Sequence, residues 1–268
     1  MIVLFRKAGN HSNRLFQNLH FEALCHEYNI AYLNPSFSDM AKYYKQPCST
    51  KNTLKSLLLQ RERCAKAMGL FAGKDVLSYD GAETAPLLDV VSQYNTAYVC
   101  GWGFRNFELT KKYQGLFADR YSLKEVFFQK NALVQTVDAL KRDRATLVGV
   151  HVRRGDYKGW QNGRYYFSDD VYAKYMRSLR EILHAKCGSG CKFVVFSNEA
   201  TDIKEAGDII KSSNDWYIDH HVMGKCDFLI GPPSTFTLWA SYVGKTKYCH
   251  IQGASGEVSL DDFTYCYG

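Results

Sequence analysis

Short apolar runs rich in β-branched residues alternate along this chain with segments of helical period, which points to an open α/β arrangement. Residues 2–5 (Ile-Val-Leu-Phe) read as a strand, followed by a polar turn at 8–13 and a helix from about 14 to 28. In that helix Leu15, Phe16, Leu19, Ala23 and Leu24 recur at helical spacing, and residues 28–33 read as a second strand. Residues 51–68 look helical and basic, 95–100 form a strand ending at Gly101-Trp102-Gly103, and 121–140 are largely helical. The second half repeats the alternation more clearly. Residues 146–152 are an apolar strand, and Ser168 caps a helix reaching about 186, with Asp169 and Asp170 where the helix dipole favours negative charge. A strand at 192–196, a helix over 200–210, a buried strand at 228–230, a helix at 237–242 and a late strand at 248–251 follow. The polar run Lys141-Arg142-Asp143-Arg144 sets a boundary, dividing the chain into 1–143 and 144–268. Ligands of such sheets bind outside the carboxyl ends of the strands. The sequence shows no internal repeat and no low-complexity segment.

The 268 residues suffice for one large or two modest domains. With 46% hydrophobic and 23% charged residues the composition is globular rather than disordered. A net charge of +7 suits anionic ligands, but the basic residues are dispersed, which argues against a nucleic-acid partner. The start, Met1-Ile2-Val3-Leu4-Phe5-Arg6-Lys7, places charge after the apolar run, unlike a secretory signal. No window approaches the roughly 20 apolar residues of a transmembrane helix. The expected location is the cytoplasm, with a catalytic fragment of an anchored protein as the alternative, and peripheral membrane association stays open. Of nine cysteines, only Cys187-Gly-Ser-Gly-Cys191 are close together, at a spacing that fits neither a redox nor a zinc motif. They are read chiefly as reduced thiols, with a local disulfide as the alternative.

The sharpest motif is Val150-His151-Val152-Arg153-Arg154-Gly155-Asp156-Tyr157, where an apolar strand runs out into a glycine turn. Side chains alternate across a strand, so His151 and Arg153 share one face and Arg154 takes the other. Arginine at a strand end presents a forked, permanently charged donor set suited to phosphate. Surface pairing of these arginines with Asp156 or other acids is the structural alternative. Further along, Ser234 and Thr235 follow a strand and a Gly-Pro-Pro turn at a helix start, a natural phosphate site, with a plain N-cap as the alternative. No Asp-x-Asp stands at a strand end to hold a diphosphate-bound cation. The Walker, dinucleotide-binding and Gly-x-Ser-x-Gly patterns are also missing, which argues against a P-loop NTPase, a dinucleotide oxidoreductase and a serine hydrolase.

The His-Val-Arg-Arg-Gly-Asp-Tyr run resembles the signature of the α-1,2-fucosyltransferase family and its α-1,6- and protein-O-fucosyltransferase relatives. Asn13-Arg14-Leu15-Phe16-Gln17 is similar to that family's Gly-Asn-Gln-(Leu/Met)-Phe-Gln. Residues 228–240, with Ser234-Thr235-Phe236-Thr237-Leu238-Trp239-Ala240, look like its Ser-Thr-Phe-Ser-x-Trp-x-Ala segment, and Phe196-Ser197-Asn198-Glu199 resembles its Phe-Ser-Asp-Asp. The ordered set spans residues 13–240. The resemblance implies a GT-B-like fold of two Rossmann-like α/β domains facing a cleft, with acceptor on the 1–143 side and donor on 144–268. It implies inverting transfer of a sugar, L-fucose from GDP-fucose, to a glycan hydroxyl, with no metal and no other cofactor. Arg153 and Arg154 would stabilise the leaving diphosphate, Asn13 and His151 would help form the cleft, and Ser234, Thr235 and Phe236 would hold the donor. Asp219 lies where relatives pair an acid with guanine, an exposed turn Asp being the alternative. Asp156 is the first candidate base, with an ion pair orienting an arginine as its alternative. Ser12 replaces a family Gly, Asn198-Glu199 replaces Asp-Asp, and Gln161 stands where α-1,6 relatives have a proposed basic Glu. These departures and Asp219 keep open a rhamnosyl- or xylosyltransferase on the same scaffold, and the net charge of +7 permits a non-catalytic polyanion-binding protein.

Overall fold

The computed structural model describes residues 1–7, 9–50, 75–79, 83–187, 190–204 and 209–268. The expected basic helix at 51–68 lies outside them. Two compact units emerge, Met1–Ser122 with Tyr267–Gly268, and Leu123–Cys266.

In the N-terminal unit, β1 (Ile2–Leu4), β2 (Tyr32–Leu33), β3 (Asp75–Tyr79) and β4 (Thr96–Val99) form a parallel sheet ordered β2-β1-β4-β3. Helix His11–Glu27 connects β1 to β2 and is buried almost throughout, polar residues included. Most of those polar groups find hydrogen-bond partners, as burial demands. Asn18 accepts from Asn34 at 2.8 Å and from the Tyr32 hydroxyl at 3.0 Å, while Glu22 takes Arg120 at 2.9 Å and the Tyr121 hydroxyl. Burial pushes the Glu22 carboxyl pKa up, with Tyr121, Arg120 and Asn18 opposing it. Arg14, also buried, donates to the Ser36 carbonyl at 2.5 Å and to Asp39 at 2.6 Å, and Gln17 donates to the Cys100 carbonyl at 2.6 Å. The motif at 13–17 thus ties the start of the helix to the loops after β2 and β4.

In the C-terminal unit, β5 (Thr146–Val152), β6 (Cys191–Ser197), β7 (Ile209–Lys211), β8 (Phe228–Gly231) and β9 (Lys247–His250) are all parallel, ordered β7-β6-β5-β8-β9. Helix Asp169–Cys187 buries Tyr172, Tyr175, Met176, Leu179 and Leu183 against β5 and β6, the i, i+3, i+4, i+7 stripe of an amphipathic helix. Each such fully buried side chain is worth about 1.5–3 kcal/mol. Helix Trp216–Met223 and helix Thr235–Gly244 pack on each other.

Two expectations change. The units divide at Ser122/Leu123 rather than at 143/144, because helix Ala132–Arg142 buries Val134 and Val137 and packs against helix 216–223. Residues 201–204 are irregular, 205–208 fall outside the described residues, and Ile209–Lys211 is a strand paired to β6 instead of the end of a helix. Cys191 is a free, buried thiol, in keeping with the reading of reduced cysteines. No helix among the described residues is long and apolar enough to cross a membrane.

Candidate active site

The strand order of the C-terminal sheet fixes where a ligand can sit. From β5 the chain moves outward to β6 and β7, then returns to β8 on the other side of β5. Between the carboxyl ends of β5 and β8 the connections leave in opposite directions, opening a crevice of the kind that binds ligands in doubly wound sheets. Val152 ends β5 and Gly231 ends β8, so Arg153 and the turn before Ser234 flank this crevice. The two strand ends approach so closely that a Cβ on Gly231 would stand 2.8 Å from the His151 carbonyl oxygen.

His151, the penultimate residue of β5, is buried and its Nδ1 lies 2.6 Å from the Thr237 hydroxyl. Burial, helped by the charge of Arg153, lowers its pKa to about 3, so the imidazole is neutral at physiological pH. Its ring packs on Phe236 at 5.2 Å, and Phe236 in turn packs on His220 at 4.0 Å. Arg153 is partly exposed, pairs with Asp156 at 2.8 Å and lies 5.4 Å from the Tyr157 ring centroid. Asp156 keeps 61% of its side chain in solvent. The ion-pair alternative for Asp156 is therefore present in the structure.

Arg154 behaves differently. It is buried, and its guanidinium donates to the Phe167 carbonyl and to Asp169 between the rings of Tyr166 (5.2 Å) and Tyr172 (5.8 Å). Its backbone N–H donates to Asn198 at 2.9 Å, and Asp169 also accepts from the Asp202 N–H at 2.7 Å. Arg154 therefore pins the loop after β5 to the N-terminus of helix 169–187. The Phe167 carbonyl and Asp169 thus occupy the Arg154 guanidinium, whereas that of Arg153 stays partly exposed beside the crevice. Gly155, at φ +62°, then turns the chain where a Cβ would press within 3.0 Å of Asn198.

Opposite Arg153, two tyrosines hold the turn before helix 235–244. The Tyr157 hydroxyl donates to the Pro233 carbonyl at 2.5 Å, and that of Tyr248 to the Gly231 and Pro232 carbonyls at 3.0 and 2.5 Å. Proline has no N–H to satisfy, so the turn spends its carbonyls on tyrosines and leaves the electropositive helix start to the crevice. Ser234 is the N-cap and accepts from the Phe236 N–H at 3.3 Å. Thr235 is the first helical residue.

Asp219 lies within helix 216–223 rather than in an exposed turn, half-buried and accepting from the Ser212 hydroxyl at 2.5 Å. Burial raises its pKa to about 7, against the Ser212 hydrogen bond and reinforced by Asp215. His220, the next residue of the same helix, is the ring packed on Phe236. Asn13, the third residue of helix 11–27, follows β1 in the N-terminal unit and is half-buried there.

Residues 88–255 match the family model for glycosyl transferase family 11. The chain belongs to glycosyl transferase family 11. It is thus a glycosyltransferase, and the matched span takes in the whole β5–β8 crevice. No curated protein matches it in sequence. Among solved structures, a mutant of Arabidopsis thaliana FUT1 in complex with GDP aligns at TM-score 0.55 and 8% identity, covering 98% of this chain and 73% of that one. The fucosyltransferase NodZ from Bradyrhizobium aligns at TM-score 0.51 and 13% identity, covering 98% and 96%. POFUT1 in complex with GDP-fucose aligns at TM-score 0.50 and 11% identity, covering 90% and 93%. At these identities the likeness is one of fold, and it agrees with the mixed α/β architecture of parallel sheets.

For this family 11 glycosyltransferase, sequence reasoning missed Tyr157 and Tyr248 as holders of the turn, Asn198 as the anchor of Arg154, and Ser212 as the partner of Asp219. Tyr157 and Asn198 carried a signal, each standing inside a motif. The others meet the site through long-range contacts. Among the described residues, no group of three or more His, Cys, Asp or Glu side chains is placed to hold a metal ion.

Proposed function

We propose that the protein transfers L-fucose from GDP-fucose to a glycan hydroxyl with inversion at the sugar carbon. The observation that carries this reading is the β5–β8 switch point, with the Arg153 guanidinium on one strand end and the N-terminus of helix 235–244 on the other. A diphosphate between them would meet a forked cation, the Ser234 and Thr235 hydroxyls and the electropositive first turn of the helix. These groups offset the charge that builds on the leaving nucleotide, the task a divalent metal performs elsewhere. GDP and GDP-fucose in the solved structures of similar fold support the choice of nucleotide. Asp219 would accept from the N–H groups of guanine beside the His151–Phe236–His220 rings. Asp156, held beside Arg153, would take the proton of the acceptor hydroxyl, the N-terminal unit would serve the acceptor side, and Asn13 would help bind the donor.

Thermal unfolding with GDP, UDP, dTDP and CMP tests the donor. GDP at about 100 times its Kd is expected to add roughly 2.7 kcal/mol of stability, and the others far less. Turnover of GDP-fucose should persist in EDTA. Stabilisation by UDP or dTDP without GDP would instead favour a rhamnosyl- or xylosyltransferase.

The titration of Asp219 gives a second check. Guanine is accepted by the ionised carboxylate, and a group with a pKa of about 7 is largely protonated on the acid side. GDP affinity is therefore expected to fall about tenfold from about pH 8 to about pH 6. Asp219→Asn should bind GDP more weakly and lose this slope, the phosphate's own titration being common to both proteins. Parallel pH profiles for the two would remove Asp219 from nucleotide recognition.

A further inference from the structure

We propose that Trp160 forms a stacking platform for a pyranose ring of the acceptor glycan, an inference that rests on the fucosyltransferase reading of the neighbouring crevice. The segment after the Arg-Arg motif folds as a short 3₁₀ turn, Gly155–Lys158, followed by a tight turn over Trp160–Gly163. Within the second, Gln161 (φ 47°, ψ 44°) and Asn162 (φ 56°, ψ 33°) lie in the left-handed region, followed by Gly163 at φ 75°. Side chains of L-residues rarely adopt that region, and two in succession persist only where surrounding contacts hold them.

This backbone lays the Trp160 ring across two buried tyrosines, 4.7 Å from Tyr157 and 5.4 Å from Tyr165. The indole nevertheless keeps 40% of its surface in solvent. An aromatic held by strained backbone over a packed pair, yet left exposed, is arranged to meet something flat and partly apolar. The identity of that partner follows from what Tyr157 touches. Its ring carries Arg153, its hydroxyl holds Pro233 in the donor turn, and Trp160 packs on it. The platform is thus built onto the side of the crevice that carries Asp156, the group placed to accept the acceptor's proton.

A sugar ring suits this surface chemically. A pyranose offers an apolar C–H face to the indole, and its hydroxyls can reach the exposed amides of Gln161 and Asn162 beside it. A nucleobase does not need the platform, because the guanine is already assigned to Asp219 and the Phe236 rings.

Saturation-transfer NMR with methyl β-D-galacto-, gluco-, xylo- and α-D-mannopyranoside, on GDP-loaded and nucleotide-free protein, tests the inference. At least one glycoside should give signals on its ring C–H protons with the wild-type protein. Trp160→Ala should weaken its binding about fivefold to tenfold, and Trp160→Phe should restore part of it. Because Trp160 is exposed, both variants should keep the wild-type GDP-induced thermal shift, which also checks their folding. Signals unchanged in Trp160→Ala, or no signal from any glycoside with the wild-type protein, would overturn the platform. A wild-type protein that binds a glycoside through Trp160 but is not stabilised by GDP would sink the donor reading and leave the platform standing.

Discussion

Replacing Arg153 with alanine is expected to lower kcat by on the order of 10²–10³-fold, the loss seen when a preorganised donor is removed from a site of developing charge. The variant should fold normally. Its pair with Asp156 is solvent-exposed on the acid's side, and such pairs contribute about 0–1 kcal/mol. Arg153→Lys should recover little, because one ammonium cannot reproduce a forked contact. Initial rates with GDP-fucose at saturating acceptor measure the effect, and GDP binding measured alongside separates ground-state from transition-state loss. Wild-type turnover in Arg153→Ala would show that the diphosphate is held elsewhere.

Arg154→Ala is expected to act on stability instead. Removing the guanidinium leaves Asp169 and the Phe167 carbonyl without their partner in a largely buried setting. Breaking a buried ion pair from one side costs about 3–5 kcal/mol. Arg154→Met, which refills the space between Tyr166 and Tyr172 without a charge, should be destabilised in the same direction, since Asp169 stays unpaired. Denaturant unfolding followed by tryptophan fluorescence reads both variants. A variant that unfolds like wild type but turns over a hundredfold more slowly would return Arg154 to the diphosphate, beside Arg153.

The contrast between these arginines was already implicit in strand alternation, which assigns them opposite faces. What the residues do not reveal is which face carries the crevice. That depends on β8 lying beside β5 and on helix 169–187 covering the other side. Asp219 shows the same limit. Beside two histidines it reads as a surface acid, but in the fold its helix packs against helix 235–244 and burial moves its titration to about 7. The helix at 11–27 shows the limit for the fold itself. Its buried Asn18, His20 and Glu22 lie outside any apolar stripe, because they bond to partners 14 to 103 residues away.

Local pattern was enough for strands β5, β6, β8 and β9 of the C-terminal unit, for its helices at 169–187 and 235–244, and for the family. Those features depend on short-range periodicity, capping residues and contiguous motifs. Helix 132–142 shows where that stops. Its own sequence marks it as helical, but the unit it joins is set by whether Val134 and Val137 find their partners before or after it in the chain. The division of labour between Arg153 and Arg154, the raised titration of Asp219 and the support under Trp160 are of the same kind. Each is decided by burial and by partners distant in sequence, and burial is a property of the packed sheet and helices rather than of any segment alone.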